Sequence, residues 1–428
     1  MTPASAIPLP CCRRARGPCA LAVVLALAAM LTGSPPARAR TWHLTPGGGD
    51  AVSIQAAIDS AADGDTLLLA TGIYSERSRI VNKTLYMFGA GVERTTLDGG
   101  AQVGEHGHTL QIRGTGNYSE VRDLTIRDGN ANSPQDIDGG EYGGGVLGVE
   151  ANFAIIGCRF LDNSCSSLGG GLFATSLPLI QLSHAGGGSR STGPRRAQVA
   201  GPRDEILVQD CLFENNFGGS EGGGVCFDQA YFRVVNCTFR HNFSGQGGGA
   251  AIINAVGSVS LSLFVDNEAI LDGGGLQIMT GLALPPPTIR IFQNTFVKNR
   301  CDRHGSGLAL YDGTTIEVNA NVFDGQTGGA FSVLGCANGA IYAGGCNLFG
   351  TNASPPLEGC PPIETDVFGP PMFCNAEGGD YRVCTNSPAA VSSGNCPVVK
   401  GIGVGCTGVA CATVVRPATW SGIKLLVR

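Results

Sequence analysis

The stretch Ile206-Leu207-Val208-Gln209-Asp210-Cys211-Leu212-Phe213-Glu214-Asn215-Asn216, closed by Gly222-Gly223-Gly224, is said again almost at once. The second copy is Phe232-Arg233-Val234-Val235-Asn236-Cys237-Thr238-Phe239-Arg240-His241-Asn242, closed by Gly247-Gly248-Gly249. Phe213 and Phe239 stand 26 residues apart. A repeat of this length is one supersecondary unit that cannot bury its apolar face alone and stacks on its neighbours.

The unit extends in both directions. Phe160, Phe213, Phe239, Phe264, Phe296 and Phe323 align, with Ile126 in the same place earlier. Five positions before each lies an apolar residue: Val121, Ile155, Val208, Val234, Val259, Ile291 and Val318. Seven before lie Phe153, Ile206, Phe232, Ile289 and Ile316, and Gly257 breaks that row. Two before lie Cys158, Cys211, Cys237, Ser262, Asn294 and Asn321. Spacing by two is strand alternation, and the slip of phase between rows marks a corner. Each unit therefore predicts two strands joined by a corner, with a third strand after the glycines. Three positions after the phenylalanines come Asn163, Asn216, Asn242, Asn267 and Asn299, an aligned row that predicts a hydrogen-bonded amide ladder in a turn.

The ends of the chain read differently. Arg13, Arg14 and Arg16 precede an apolar run from Ala20 to Leu31, and Ala37-Arg38-Ala39 is an A-x-A cleavage pattern. This predicts a signal peptide over residues 1–39, cleaved near Ala39, and a secreted or cell-envelope protein with no transmembrane segment in the mature chain. Loss of residues 1–39 removes four arginines and no acid, so the mature chain is more acidic than the formal charge of −6. That excludes nucleic acid as an expected partner, because phosphate binding needs a basic surface. Cys11, Cys12 and Cys19 leave with the signal, and fourteen cysteines remain for an oxidising compartment.

Ser53 caps a short amphipathic helix with Ile54, Ala57, Ile58 and Ala61 on one face. Thr66–Ala70 and Leu85–Phe88 read as buried strands. Ile54-Gln55-Ala56-Ala57-Ile58, Gly64-Asp65-Thr66, Gly72-Ile73-Tyr74 and Gly89-Ala90-Gly91 resemble the N-terminal cap and first coils of right-handed parallel β-helix proteins, the pectin-lyase-like superfamily. The resemblance covers most of residues 42–350. It implies an all-β solenoid: a right-handed parallel β-helix over residues 40–350 with a short N-terminal capping helix. Residues 351–428, where Cys360, Cys374, Cys384, Cys396, Cys406 and Cys411 crowd, read as a disulfide-stapled C-terminal cap. The fold leaves function open, since lyases, hydrolases, adhesins and binding proteins share it.

Polysaccharide-processing members of the superfamily carry their working groups on the outer face of one sheet. The resemblance thus directs attention to the strand after each glycine triplet. Val146, Leu172, Val225 and Leu276 should point inward there, and Leu147, Phe173, Cys226, Asp228, Gln277, Met279 and Tyr311 outward. Asp228 is the one ionisable carboxylate of the outward set. General acid–base catalysis and calcium held by carboxylates both need several convergent groups. The expectation is therefore a non-catalytic, adhesin-like surface protein that binds a polysaccharide or another cell-surface component. Phe173, Asp228, Gln277 and Tyr311 form its candidate binding face, and Asp228 is the sole catalytic candidate. The alternative is a divergent lyase or hydrolase acting on a uronate-containing polysaccharide. The same apolar face also fits a surface covered by the insertion at 176–204.

Other candidates lie elsewhere. Asp136, Asp138 and Glu141 read as a solvated acidic loop, with a set of oxygens for Ca²⁺ as the alternative, and no other cofactor is expected. His106-Gly107-His108 echoes the hydrolase histidine motif and reads as a turn. Glu150 and Asp312 hold equivalent strand-end positions too many coils apart to act together. Cys158, Cys211 and Cys237 read as buried thiols or one strained bridge, and Cys165 and Cys301 as surface positions suited to bridging.

Overall fold

The computed structural model describes residues 38–100, 107–132, 141–178, 205–281, 289–312, 315–328, 332–352, 355–361, 363–390, 396 and 403–406, with the backbone of 418–419. Most of the expected signal peptide, the bulk of the 176–204 insertion, His106, Asp136, Asp138 and Cys411 fall outside them. No helix among the described residues is long and apolar enough to cross a membrane.

The chain winds as a parallel β-helix. One coil shows the plan: Glu205–Gln209 lies in sheet A, Leu212–Glu214 in sheet B, Phe217–Glu221 in sheet D and Val225–Asp228 in sheet C. Sheets A and B have twelve strands each, C has ten and D five. The short D strands are a fourth side that was not expected. Their glycines and serines carry no alternating pattern, so only the backbone pairing reveals them.

Every corner of this coil is left-handed: φ is 54° at Asp210, 55° at Asn215, 69° at Gly222 and 52° at Gln229. Asn, Asp and Gly tolerate that region best, which explains the polar punctuation of the repeat. The glycine triplet has two causes. Gly222 supplies the corner. A Cβ on Gly223 would lie 2.4 Å from Gly248 O, and one on Gly224 2.6 Å from Gly249 O, so those two positions are glycine because the coils touch there.

The ladders form in register. Phe213 pairs with Phe239, and Phe239 with Phe264. Their rings stack with centroids 4.9 and 4.6 Å apart. The column continues to Phe349 and Phe368, past the expected end at Gly350. Leu348–Phe349 and Val367–Phe368 are strands of only two residues, too short for periodicity to reveal. Asn216 donates to Asn242, Asn242 to Asn267 and Asn267 to Asn299, each at 2.9 Å.

A second amide ladder continues the row of Cys158, Cys211 and Cys237. Asn294 donates to Asn321 and Asn321 to Asn347, both at 3.0 Å. It ends at the buried Asp366, which accepts from Asn347 N at 3.0 Å and from the Tyr342 hydroxyl at 2.7 Å. Burial pushes the Asp366 carboxyl above its usual value of 3.8, although Tyr342 and Asn347 pull it back. A raised acid stabilises the fold below its unfolded value and loses that contribution as pH rises through the folded one. Asp366→Asn is therefore expected to raise the melting temperature at neutral pH. Thermal melts at pH 7 and pH 3.5 test this. The gain should vanish at the lower pH, and an equal gain at both would remove the titration from the account.

The N-terminal end carries the expected helix, and the C-terminal strands lie elsewhere than expected. Helix α1, Ile54–Ser60, is capped by Ser53 Oγ, which accepts from Ala56 N at 3.0 Å. Glu76 accepts from Ile54 N, and Lys83 Nζ donates to Ile58 O, Asp59 O and Ala61 O, so each helix end meets the opposite charge. At the other end the strands Phe373–Asn375, Asp380–Cys384 and Val404–Cys406 form a small sheet. It lies on the flank of sheet B. Tyr381 packs on Leu263, Val265 and Val297, and Val383 and Ala389 on Val322 and Leu348. Disulfides join Cys336 to Cys360, Cys346 to Cys396 and Cys374 to Cys406.

Of the remaining cysteines, one row is the buried thiols expected and two positions differ from the expectation. Cys158, Cys211 and Cys237 are not bridged. Cys211 Sγ donates to Gln209 O at 3.1 Å, and Cys237 Sγ to Val208 O at 3.5 Å. Cys165 and Cys301 are buried and unbridged, not at the surface. Cys165 follows the Asn corner into sheet D beside Ala131, and Cys301 follows its own Asn corner to pack on Ala269. Burial pushes their thiols up to about 12 and about 11.

Candidate functional site

Sheet C sorts its side chains as the spacing predicts. Val146, Leu172, Val225 and Leu276 join the main core. Leu147, Val149, Phe173, Cys226, Ala251 and Ile253 form a second cluster on the outer face, together with Tyr142 and Leu168. This half of the face is covered. Phe173 is 0% exposed and lies inside this apolar cluster, and Asp228, 7% exposed, is on the neighbouring strand of the same covered half. The covered-face expectation fits these coils, and Leu177, at the start of the insertion, packs against them. Asp228 is held in that cover, away from Tyr311 by three strands of the sheet.

Beyond Ile253 the face turns polar. The residue before each left-handed glycine corner forms a row along the axis: Tyr142, Leu168, Glu221, Gln246, Asp272 and His304. The first two are apolar and belong to the covered cluster, while the last four carry polar chemistry. Their corners aim them over sheet C, where Gln277 and Tyr311 are the outward residues. The structure thus brings two of the four expected face residues to one patch and leaves the other two under cover.

Asp272 is the centre of the patch and is fully buried. It accepts from Arg303 Nη2, from His304 N at 3.0 Å and from the Tyr311 hydroxyl. Three donors, one of them charged, make a buried carboxylate tolerable. Burial, then the charge of Asp272, pushes the Tyr311 phenol well above its ordinary value, so it stays protonated and donates. His304 Nδ1 lies 2.9 Å from Glu358 Oε2. Glu358 belongs to the outward column Gln277, Ala309, Gly335, Glu358. Small residues at Ala309 and Gly335 let the His304–Glu358 pair cross that column.

Gln277 is 2% exposed. Its Nε2 donates to Gln246 Oε1, and its buried Oε1 has no hydrogen-bond partner. Arg303, His304 and Glu358 are the rim, with side chains 48%, 30% and 38% exposed.

Asp272, Arg303, His304 and Glu358 were not expected, because they lie off the strand that follows the glycines. The signal was present: the position before each Gly-Gly-Gly or Gly-Ser-Gly turn reads Glu, Gln, Asp, His over four successive coils. Arg303 and Glu358 had no such signal, since they arrive from a corner and from a two-residue strand.

The other polar surface is on sheet B. Glu214 bridges Arg159 at 2.6 Å and Arg240 at 2.5 Å. Burial raises its carboxyl, but the two arginines outweigh that and hold it below the usual range. Asp98 pairs with Arg127 at 2.7 Å, and burial, then the charges of Asp98 and Asp162, push Asp128 up. No group of three or more metal-ligating side chains occurs among the described residues. Of the Ca²⁺ candidates only Glu141 is described, and its carbonyl accepts from Ser167 N at 3.0 Å. His108 is buried in a corner, with Nδ1 2.9 Å from Gly143 O. Glu150 and Asp312 sit at left-handed corners of well-separated coils.

Comparison with known proteins adds the following. Residues 199–348 match the family model described as right handed beta helix region. No curated protein matches the sequence. Among solved structures, pectate lyase Pel9A is similar at 12% identity and a TM-score of 0.49, over 84% of this chain and 95% of that one. An alginate lyase from Paenibacillus sp. str. FPU-7 is similar at 10% identity and a TM-score of 0.31, over 74% and 97%. The pectin methylesterase from Aspergillus niger is similar at 12% identity and a TM-score of 0.28, over 77% and 91%. The coil register and the stacked ladders make this chain a parallel β-helix, and the match over residues 199–348 agrees with the right-handed form.

Proposed function

We propose that this chain is an exported, non-catalytic β-helix that binds a glycan at the outer face of sheet C, in the manner of a surface or adhesin-like protein. The observation that carries the reading is the state of the patch. Its ionisable groups already engage one another: Asp272 with Arg303 and Tyr311, and His304 with Glu358. A catalytic base has to be poised near the working pH and within reach of a substrate proton. Tyr311 stays protonated, and Asp272 is fully buried beneath its three donors. Groups fixed in this way suit recognition by hydrogen bonds. Three disulfides among the described residues support export, and the acidic chain disfavours nucleic acid.

One observation favours the second reading, a divergent polysaccharide lyase or hydrolase. The pair of His304 and Glu358 is a base oriented by a carboxylate, and it stands at the exposed rim. Incubation with pectic, alginate and neutral polysaccharides, with and without Ca²⁺, separates the two. The binding reading expects retention of at least one glycan and no new reducing or unsaturated ends. Product release that disappears in His304→Ala would establish the enzyme instead.

A further inference from the structure

We infer that the patch on sheet C takes an uncharged, hydroxyl-bearing glycan and not a uronate polymer. This deepens the glycan-binding reading and rests on it. Two independent features of the patch lead there.

The first is Gln277. Its side chain is outward on sheet C, because Leu276 and Ile278 on either side belong to the core. The amide is almost completely buried, yet Oε1 lacks a donor. A buried acceptor left unmade costs about 1–3 kcal/mol, so a group of this kind calls for a partner. Gln246, half-buried at the rim, lies against its Nε2. A ligand hydroxyl that displaces the Gln246 amide meets that of Gln277. A hydroxyl is both donor and acceptor and satisfies the amide in either orientation. A carboxylate offers no hydrogen and satisfies only the orientation in which Nε2 faces it, which leaves Oε1 without a donor.

The second is charge. The basic side chains of the patch are Arg303 and His304, and each already faces a carboxylate, Asp272 and Glu358. A uronate would have to compete with buried Asp272 for Arg303 while approaching Glu358, a like charge that repels it. A neutral sugar meets no such opposition. Its hydroxyls can donate to Gln277 and to Glu358.

The test is affinity electrophoresis or calorimetry of the intact protein against neutral polysaccharides (a β-glucan, a galactan, an arabinan) and against polygalacturonate and alginate. Wild type should bind at least one neutral polymer and neither uronate. Gln277→Met should weaken that binding at least tenfold. The same variant should melt no lower than wild type, since it removes a buried polar group without its full set of partners. That melt shows whether the variant has folded. Binding of a uronate but no neutral polymer overturns this inference and leaves the glycan-binding reading standing. Neutral binding unchanged in a folded Gln277→Met moves the site elsewhere. Failure to bind any polysaccharide removes the glycan-binding reading itself.

Discussion

Asn242→Ala is expected to destabilise the helix by about 4 kcal/mol, an effect in the tail of what single substitutions do. The Asn242 side chain makes four bonds. Its Nδ2 donates to Phe213 O at 3.0 Å and to Asn267 Oδ1 at 2.9 Å. Its Oδ1 accepts from Asn216 N at 3.0 Å and from Asn216 Nδ2 at 2.9 Å. Alanine strips all four from a fully buried site. Asn267 Oδ1 keeps a bond from Asn242 N, and Asn216 Nδ2 keeps Phe160 O. The Asn216 backbone N–H is left unmade, at about 1–3 kcal/mol, and the other three bonds are lost at about 0.5–1.5 kcal/mol each. His241, one residue earlier, is exposed at a left-handed corner, and His241→Asn should stay within about 0.5 kcal/mol. Because stability in a solenoid is local, the decisive readout is hydrogen exchange. Protection should fall first in the coils holding Asn216, Asn242 and Asn267. A loss below about 1 kcal/mol would mean that the ladder is ornament on a frame held by its sheets.

Phe264→Ala is expected to cost as much or more. Phe264 is fully buried between Phe239 and Phe296, with centroids 4.6 and 4.8 Å away. Truncating a buried phenylalanine costs about 3–5 kcal/mol in transfer and cavity terms. Two stacking contacts add about 0.5–1.5 kcal/mol each. Neighbouring coils are held in register by their own ladders, so the cavity cannot collapse. Phe217 provides the contrast. It stacks on Phe243 at 5.7 Å but remains 41% exposed, so Phe217→Ala should cost about 1 kcal/mol or less. Thermal or denaturant melts of the two variants separate burial from stacking. Equal losses would assign the column's strength to ring contact alone.

Much of the fold was legible because a solenoid repeats its local rules. Phe213 and Phe239, Asn216 and Asn242, and Val225 and Ala250 could be placed in or on the core by spacing alone. The helix cap at Ser53 was equally plain. Two features were hidden for opposite reasons. Sheet D has no apolar alternation, since Gly218, Gly219 and Gly245 have no side chain to alternate. The last coils have alternation, but in strands of two residues, and Phe349 at 26 residues past Phe323 was the one trace of them.

The candidate site was less legible. Gln277 and Tyr311 were placed on the outer face of the correct strand, where they line the patch. Phe173 and Asp228 share their rows but not their surroundings, because the same face is apolar and covered in one half and polar in the other. Asp228 is the lone carboxylate of its strand row. The carboxylates of the patch, Asp272 and Glu358, come from a corner and from a later strand. No count of residues along one strand reaches them.

The amino-acid sequence by itself determined the coil: its length, its inward rows, its glycine and asparagine corners, and hence a parallel stack of strands. These follow from periods of two and from backbone preferences, which are properties of neighbours in the chain. Only the tertiary structure decided which half of sheet C is covered, that the C-terminal sheet lies along sheet B, and that Asp272, Arg303, His304, Tyr311 and Glu358 share one place. Glu358 stands 54 residues from His304, and its carboxylate comes within 2.9 Å only because Gly335 and Glu358 stack in register above Ala309. Contacts of that kind depend on the stacking of whole coils, which no local window of the chain encodes.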